Sequence, residues 1–288
     1  MASGLVLIDK PQGITSFDVV AKVRKKLNTK KVGHAGTLDP MATGLMLVGA
    51  GQGTKLLNYL VGLDKQYLAT IRLGMATISD DAEGEPVSRT DASSLSEAQV
   101  DAEIAKLQGV IDQIPSSVSA KKIDGKRAYD LVRQGVEVEL KPKRVTVSSF
   151  QRTSGLRFES GLCDFDVIVD CSSGTYIRAL ARDIGNALGV GGHLTMLRRT
   201  RIGDYLVSDA QSLEGEIVLT PMVETVQKLM PIRGVSDSEE IAVYHGKPLE
   251  LDGEQGLVAL VSDRLIAISS PKDGRLRSEV VFAKETND

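Results

Sequence analysis

The 288-residue chain has no tryptophan, and its supply of the usual chemically reactive side chains is thin: 2 cysteines and 3 histidines, with 5 phenylalanines and 6 tyrosines. Two cysteines cannot make a disulfide scaffold. Cys163 and Cys171 lie eight positions apart in what reads as one strand. At roughly 3.3 Å per residue their Cα atoms sit about 26 Å apart, whereas a disulfide needs less than about 7 Å. Both are read as buried thiols. His34, His193 and His245 fall at no zinc-site spacing with each other or with the cysteines, so no metal site is expected. Residues 49–55 have the flavour of a phosphate loop, but Thr54 stands where a P-loop needs glycine before Lys55, and a dinucleotide fingerprint would also need glycine there. No nucleotide cofactor is therefore expected. A Gly-x-Ser-x-Gly elbow is absent, which removes support for a serine hydrolase. There is no apolar run of the roughly 18 residues that spans a bilayer, and the N-terminus lacks a basic-then-apolar signal pattern. The expected location is the cytoplasm, with no membrane partner.

What is present is a 42% hydrophobic chain, long enough for one large domain and a smaller one. The formal net charge of −3 argues at first against a nucleic-acid partner. The average hides a segregation: residues 1–60 hold 8 Lys/Arg against 3 Asp/Glu, residues 116–145 hold 8 against 4, and residues 61–115 hold 4 against 10. The basic segments Lys22 to Lys31 and Lys121 to Arg144 can converge on one face and attract phosphates. The alternative is that they are ordinary solvated faces.

Periodicity gives an α+β pattern. Gly4 to Asp9 reads as a buried strand, followed by a turn. Thr15 and Asp18 form a capping box for a helix with Phe17, Val20, Val23 and Leu27 on one face. Gly44 to Gly49 reads as a strand, Thr54 to Val61 as a helix, Gln66 to Leu73 as an alternating strand, and residues 75–94 as an acidic, turn-rich stretch. Ser96 can cap a helix through Leu107. Val136 to Phe150 and Leu162 to Cys171 are strand-like, and Gly174 to Leu188 is helical. Irregular alternation favours a mixed sheet over a doubly wound one. After Pro231 the strands at 257–261, 265–269 and 279–282 are short and turn-separated, so the chain is divided into residues 1–230 and a small β-rich region, 231–288.

The densest feature is Gly33-His34-Ala35-Gly36-Thr37-Leu38-Asp39-Pro40-Met41-Ala42-Thr43-Gly44. Pro40 disfavours the α region for Asp39, so no helix runs through it. Together with Lys10-Pro11-Gln12-Gly13, Lys65-Gln66-Tyr67, Gln113-Ile114-Pro115-Ser116, Gly125-Lys126-Arg127-Ala128-Tyr129, Gly174-Thr175-Tyr176-Ile177-Arg178 and His193 to Thr200, in that order, this loop resembles the RNA pseudouridine synthases. The resemblance is to the bacterial TruB family, whose target is uridine 55 in the T-loop of tRNA. It covers most of residues 1–205.

That resemblance implies a mixed, mainly antiparallel sheet flanked by helices, a thumb-like RNA-binding insertion at about 113–144, and a C-terminal PUA-like domain that contacts RNA. It implies isomerisation of uridine to pseudouridine without a cofactor, tRNA (T-stem and T-loop) as the partner, and base flipping. Asp39 matches the essential aspartate, which attacks the sugar or base or removes a sugar proton. Arg178 matches its arginine partner, which keeps a buried carboxylate charged, and Tyr67 matches the tyrosine beside the target uracil. Lys10, Pro11, His34, Leu197, Lys121, Lys126 and Arg127 match substrate-binding positions. Taken singly, each residue has a plainer reading: Asp39 as a turn residue, Arg178 as an exposed helix arginine paired near Asp183, Tyr67 as core, His34 as a loop imidazole. Two other functions stay open, a guide-RNA-dependent synthase and a non-catalytic tRNA-binding or folding factor. No oligomerisation seam is evident, and a monomer is expected.

Overall fold

The computed structural model describes residues 3–116 and 141–284, together with the backbone of residues 122–123 and 126–127. The chain enters as β1 (Gly4–Lys10) and turns into α1 (Ser16–Lys26). The capping box forms as its residue types require: Thr15 Oγ1 accepts the Asp18 N–H at 3.1 Å, and Asp18 Oδ2 accepts the Thr15 N–H at 2.8 Å. The buried stripe of α1 is Ser16, Val19, Val20 and Val23. Phe17 is not part of it and is 68% exposed, because at 100° per residue it lies about 110° round the helix from the middle of that stripe. β2 (Val32–His34) and β3 (Thr43–Ala50) bracket the Asp39 loop.

Where one helix is expected over 54–61, the chain makes a tight 3-10 turn, Gly51–Leu56, and then the single turn α2 (Leu57–Leu60). Next come β4 (Lys65–Leu73), the hairpin β5 (Met75–Thr77) and β6 (Pro86–Arg89), α3 (Glu97–Lys106), capped by Ser96 and Gln99, and β7 (Gly109–Gln113). β8 (Lys122–Ile123) pairs with β9 (Lys126–Arg127). β10 (Lys143–Arg152) begins later than the strand expected from Val136, whose first residues lie outside the described part. The main body closes with β11 (Arg157–Glu159), β12 (Leu162–Cys171), α4 (Ile177–Ala187), β13 (Gly192–Ile202), β14 (Tyr205–Leu206) and α5 (Met222–Gln227); β15 (Ile232–Gly234), α6 (Asp237–Tyr244), β16 (Val258–Val261), β17 (Leu265–Lys272) and β18 (Arg275–Val281) complete the chain.

The large sheet runs β1-β3-β13-β4-β12-β10-β7, with β2, β11 and β14 paired onto its members. It is antiparallel except where β3 meets β13, with Thr43 against Arg198 and Gly44 against Arg199. That parallel seam is very tight: a Cβ on Gly44, at φ +104°, would stand 2.2 Å from the Arg199 carbonyl oxygen, so only glycine fits. On one face of the sheet, α1, α3 and α4 pack Val19, Val20, Val23, Val100, Ile104, Leu180 and Ile184 against Ala69, Ile71, Phe165, Val167 and Val169. A second apolar cluster joins Leu5, Leu7, Leu45, Leu47 and Leu56 to Ile268 and Phe282, and so ties the large sheet to the small one, β15-β16-β17-β18. Gln52 seals that junction, its amide bonding both the N–H and C=O of Ala283 at 2.6 Å. Cys163 and Cys171 are free and buried on β12, and burial pushes both thiols up to about 11.

Candidate active site

Asp39 sits in the loop between β2 and β3, and three fastenings hold the loop still. Ser16 Oγ accepts the Leu38 N–H at 2.8 Å and donates to the Leu38 carbonyl at 2.9 Å. The Gly13 N–H donates to Pro40 O at 3.0 Å. Lys10, with no exposed surface, donates through Nζ to Ile14 O at 2.7 Å, Pro11 O at 3.0 Å and Pro40 O at 3.2 Å. One ammonium thus locks the Lys-Pro-x-Gly turn to the residue following Asp39. Burial lowers its pKa to about 8, and the Asp39 charge opposes that fall. Pro11 itself is exposed.

Arg178, on the first turn of α4, is buried and faces Asp39: Nε lies 3.1 Å from Asp39 Oδ2, and the Asp39 side chain remains 34% exposed. The guanidinium is gripped from behind. Nη1 donates to Ser79 O at 2.7 Å and to Asp81 Oδ2 at 3.2 Å, and the Asp81 side chain is only 5% exposed. Ser79 Oγ donates to the other oxygen of Asp81 at 2.5 Å. The plainer expectation for Arg178, an exposed helix arginine paired near Asp183, does not hold: Asp183 is paired at 2.8 Å by Arg182, whose side chain is itself 19% exposed.

Tyr67 lies on β4 opposite Arg199 of β13 and Val169 of β12. Its phenol pKa is raised, chiefly by burial, with Arg199 lowering it and Asp39 adding a smaller upward push. Arg199 is 1% exposed, and its guanidinium is spent on carbonyls: Leu45 O at 2.7 Å, Gly36 O at 3.1 Å and Thr37 O at 3.4 Å. It braces the Asp39 loop from below. Leu197, 6% exposed, faces Ala69 two positions along the same pair of strands. His34 is half-buried at the loop entrance, its Nδ1 buried with no hydrogen-bond partner among the described residues, and burial lowers its pKa. Glu83 adds a further carboxylate nearby, with a pKa raised by burial and then by Asp81 and Asp39.

Arg178 therefore touches Asp39, Lys10 is fastened to the residue after Asp39, and Tyr67 and Leu197 lie on the paired strands β4 and β13. Lys121 lies outside the described residues, and for Lys126 and Arg127 only the backbone pairing of β8 with β9 is described. Lys141, Lys143 and Arg144 are exposed at the start of β10. Sequence reasoning missed Ser79 and Asp81, and it quoted Gln113 only as part of a matching segment, with no role assigned. Asp81 was visible only as one acid in an acidic turn-rich stretch, and nothing local signals a partner 97 positions away. Among the described residues no cluster of His, Cys, Asp and Glu is arranged to hold a metal ion, and no helix is long and apolar enough to cross a membrane.

Residues 24–177 match the TruB family pseudouridylate synthase N-terminal domain, and residues 178–228 match the tRNA pseudouridylate synthase B C-terminal domain. The chain is 49% identical over 291 residues to tRNA pseudouridine synthase B of Thermobifida fusca, covering 98% of this chain and 99% of that protein. It is likewise 49% identical over 290 residues to tRNA pseudouridine synthase B of Corynebacterium glutamicum (strain R), covering 99% and 97%. Among solved structures, a chain of a Cbf5–Nop10–Gar1 complex superposes with a TM-score of 0.69 at 26% identity, covering 97% of this chain and 85% of that one.

Proposed function

The chain belongs to the TruB family of pseudouridylate synthases and is a tRNA pseudouridine synthase; from that premise we propose that Asp39, Arg178 and Tyr67 carry the isomerisation and that the target is uridine 55 of the T-loop. The observation that carries this reading is the Arg178 Nε to Asp39 Oδ2 distance of 3.1 Å, between a buried guanidinium and a carboxylate that stays one-third exposed. In the reaction the N1–C1′ bond breaks, the uracil turns, C5 bonds to C1′, and the proton leaving C5 is matched by one gained at N1. Asp39 attacks the sugar or removes a proton from it. Arg178, immobilised by Ser79 and Asp81, aims that carboxylate. The Tyr67 hydroxyl, kept protonated by its raised pKa, relays the C5 proton late in the reaction, passing its own proton on to water as its oxygen accepts the one from C5, and its buried ring supplies a face for the turning base.

A uridine in folded tRNA must leave its stack first, at a cost of a few kcal/mol. His34, uncharged at neutral pH by virtue of its lowered pKa, fills the vacated space, and Leu197 walls the uracil. The exposed lysines of α1 and its following loop (Lys22, Lys25, Lys26, Lys30 and Lys31), with Lys121, Lys126 and Arg127 of the 113–144 insertion, meet the phosphates of the T-stem. Residues 231–288 form the smaller domain and add RNA contacts. The setting is a monomer in the cytoplasm, with both cysteines reduced.

Tritium release from C5-labelled tRNA by the purified chain tests the reading. Wild type is expected to release tritium from a tRNA transcript with no added guide RNA, and the product is expected to map to position 55. Asp39→Asn is expected to bind the same tRNA and release nothing. Release by Asp39→Asn at the wild-type rate would remove Asp39 from the chemistry and favour a role in tRNA binding or folding.

A further inference from the structure

Helix α4 carries Arg178 at its second position, yet it starts without a cap of its own. Tyr176 occupies the N-cap position in extended conformation and makes no side-chain capping hydrogen bond. A helix start usually relies on Ser, Thr, Asp or Asn there, because the first N–H groups have no partner within the helix. What fixes Tyr176 comes from 63 positions upstream. Gln113, at the end of β7 and 2% exposed, accepts the Tyr176 N–H on Oε1 at 2.8 Å and donates from Nε2 to the Tyr176 carbonyl at 3.0 Å. Both backbone groups of the cap residue are held by one planar amide, which leaves the residue little freedom to rotate. The next residues of that strand end also grip the helix: Arg182 Nη2 donates to Ile114 O at 2.8 Å, and Nη1 reaches Pro115 O and Asp80 Oδ2, each at 3.4 Å.

We propose that Gln113 is a positioning residue for catalysis, which caps α4 from another strand and so sets where the Arg178 guanidinium meets Asp39. Arg178 lies two residues beyond the clamp, and its Nε stands 3.1 Å from Asp39 Oδ2, so a small rotation of the first turn lengthens that contact. Misplacement of a reacting group by about 1 Å costs on the order of a hundredfold in rate. Gln113 touches neither Asp39 nor Arg178, and its effect passes through the backbone of residues 176–178. The inference rests on the assignment of Asp39 and Arg178 above.

The test is a set of single-turnover measurements with tRNA at saturating enzyme, where the rate constant does not depend on what fraction of the protein is folded. Gln113→Ala is expected to slow the chemical step about 10- to 100-fold, with the dissociation constant for tRNA changed less than about threefold. Gln113→Glu is the sharper variant. Its carboxylate keeps the acceptor for the Tyr176 N–H but loses the donor to the Tyr176 carbonyl, and only its protonated form has both. The ratio of the Gln113→Glu rate to the wild-type rate is therefore expected to climb as pH falls from about 8 to about 6, since burial against a carbonyl oxygen raises a carboxyl pKa. A Gln113→Ala rate within about twofold of wild type, or a flat Gln113→Glu ratio, overturns the proposal. Asp39→Asn measured alongside separates the two claims. Turnover by that variant overturns the catalytic assignment itself, whereas a dead Asp39→Asn beside an unimpaired Gln113→Ala overturns this inference alone.

Discussion

The two faces of the large sheet use basic side chains to opposite ends. On the packed face and under the Asp39 loop, Lys10, Lys65, Arg178 and Arg199 are each 5% exposed or less; Lys10 and Lys65 bond to backbone carbonyls, and Arg199 bonds to three carbonyls and to the Tyr67 hydroxyl. Lys65 Nζ donates to Val61 O at 2.8 Å and also to Leu63 O. Arg178 alone meets carboxylates. On the solvent face, arginines pair across strands with an acidic row on β12: Arg72 with Asp164, Arg157 with Asp166, Arg201 with Asp170. Carbonyl dipoles solvate a cation without cancelling its charge, so the inner group leaves a net positive field under the Asp39 loop. Carboxylates cancel it, and the outer group leaves little. The same residue types thus orient and electrify the Asp39 loop on one face and decorate a surface on the other.

The largest expected effect comes from the one inner cation with acidic partners. Arg178→Ala is expected to lower the single-turnover rate about 10³-fold, of the order seen when a preorganised electrostatic group is removed, while tRNA affinity falls only severalfold. It also leaves Asp81 buried without its cation, and breaking a buried pair costs about 3–5 kcal/mol. Urea unfolding measures that cost. A near-normal rate in this variant would show that the inner face is structural like the outer one. Next in size is Tyr67→Phe, which keeps the ring and removes the hydroxyl. The rate is expected to drop about 10²-fold, as for loss of a general base, with binding unchanged, and full turnover would end the proton-transfer role.

The contrast between the faces also shows which parts of the molecule the sequence displays. The alternating strand at 66–73 and the strand at 162–171 were readable because their patterns are local, and both formed, the first beginning one residue earlier at Lys65. The Asp39 loop and Arg178 were readable only as motifs, and the structure supplies the reason they are motifs. By contrast Asp81 and Gln113 act on Arg178 and Tyr176 across 97 and 63 positions, and no local pattern encodes a contact made by folding. Phe17 was misjudged for a related cause. An aromatic within an apolar stripe reads as core, but the helix rotation is set by Ser16, whose hydroxyl is drawn inward by the Leu38 backbone.

A titration separates the two kinds of cation more gently. Burial lowers the Lys65 pKa from 10.5 to about 8. Below about pH 8 the ammonium is charged in both folded and unfolded chains, and its desolvation penalty is fully felt. As pH rises towards 10.5 the folded state sheds the proton while the unfolded chain keeps it, so the penalty fades and this residue's contribution becomes more favourable. The unfolding free energy of wild type minus that of Lys65→Met is therefore expected to increase between about pH 8 and 10.5. Taking the difference removes the opposing contribution of the raised groups away from Lys65, such as Cys163 and Tyr205, which both proteins share. A difference that stays level across that window would mean Lys65 is solvated well enough to behave like an outer-face cation.

The smallest effect is expected on the outer face, and there the geometry invites the opposite guess. Arg72 meets Asp164 with two hydrogen bonds at 2.8 and 2.7 Å, shorter than most contacts around Asp39, and the two residues stand directly opposite each other across β4 and β12. Their side chains are nonetheless 32% and 22% exposed, so water screens the pair and rehydrates either partner once the other is gone. Arg72→Ala is accordingly expected to cost no more than about 1 kcal/mol and to leave the single-turnover rate unchanged, with the stability loss shrinking further in high salt. A loss of several kcal/mol that salt does not reduce would place this pair with Arg178, and bond length rather than surrounding solvent would then be the better guide to which arginines matter.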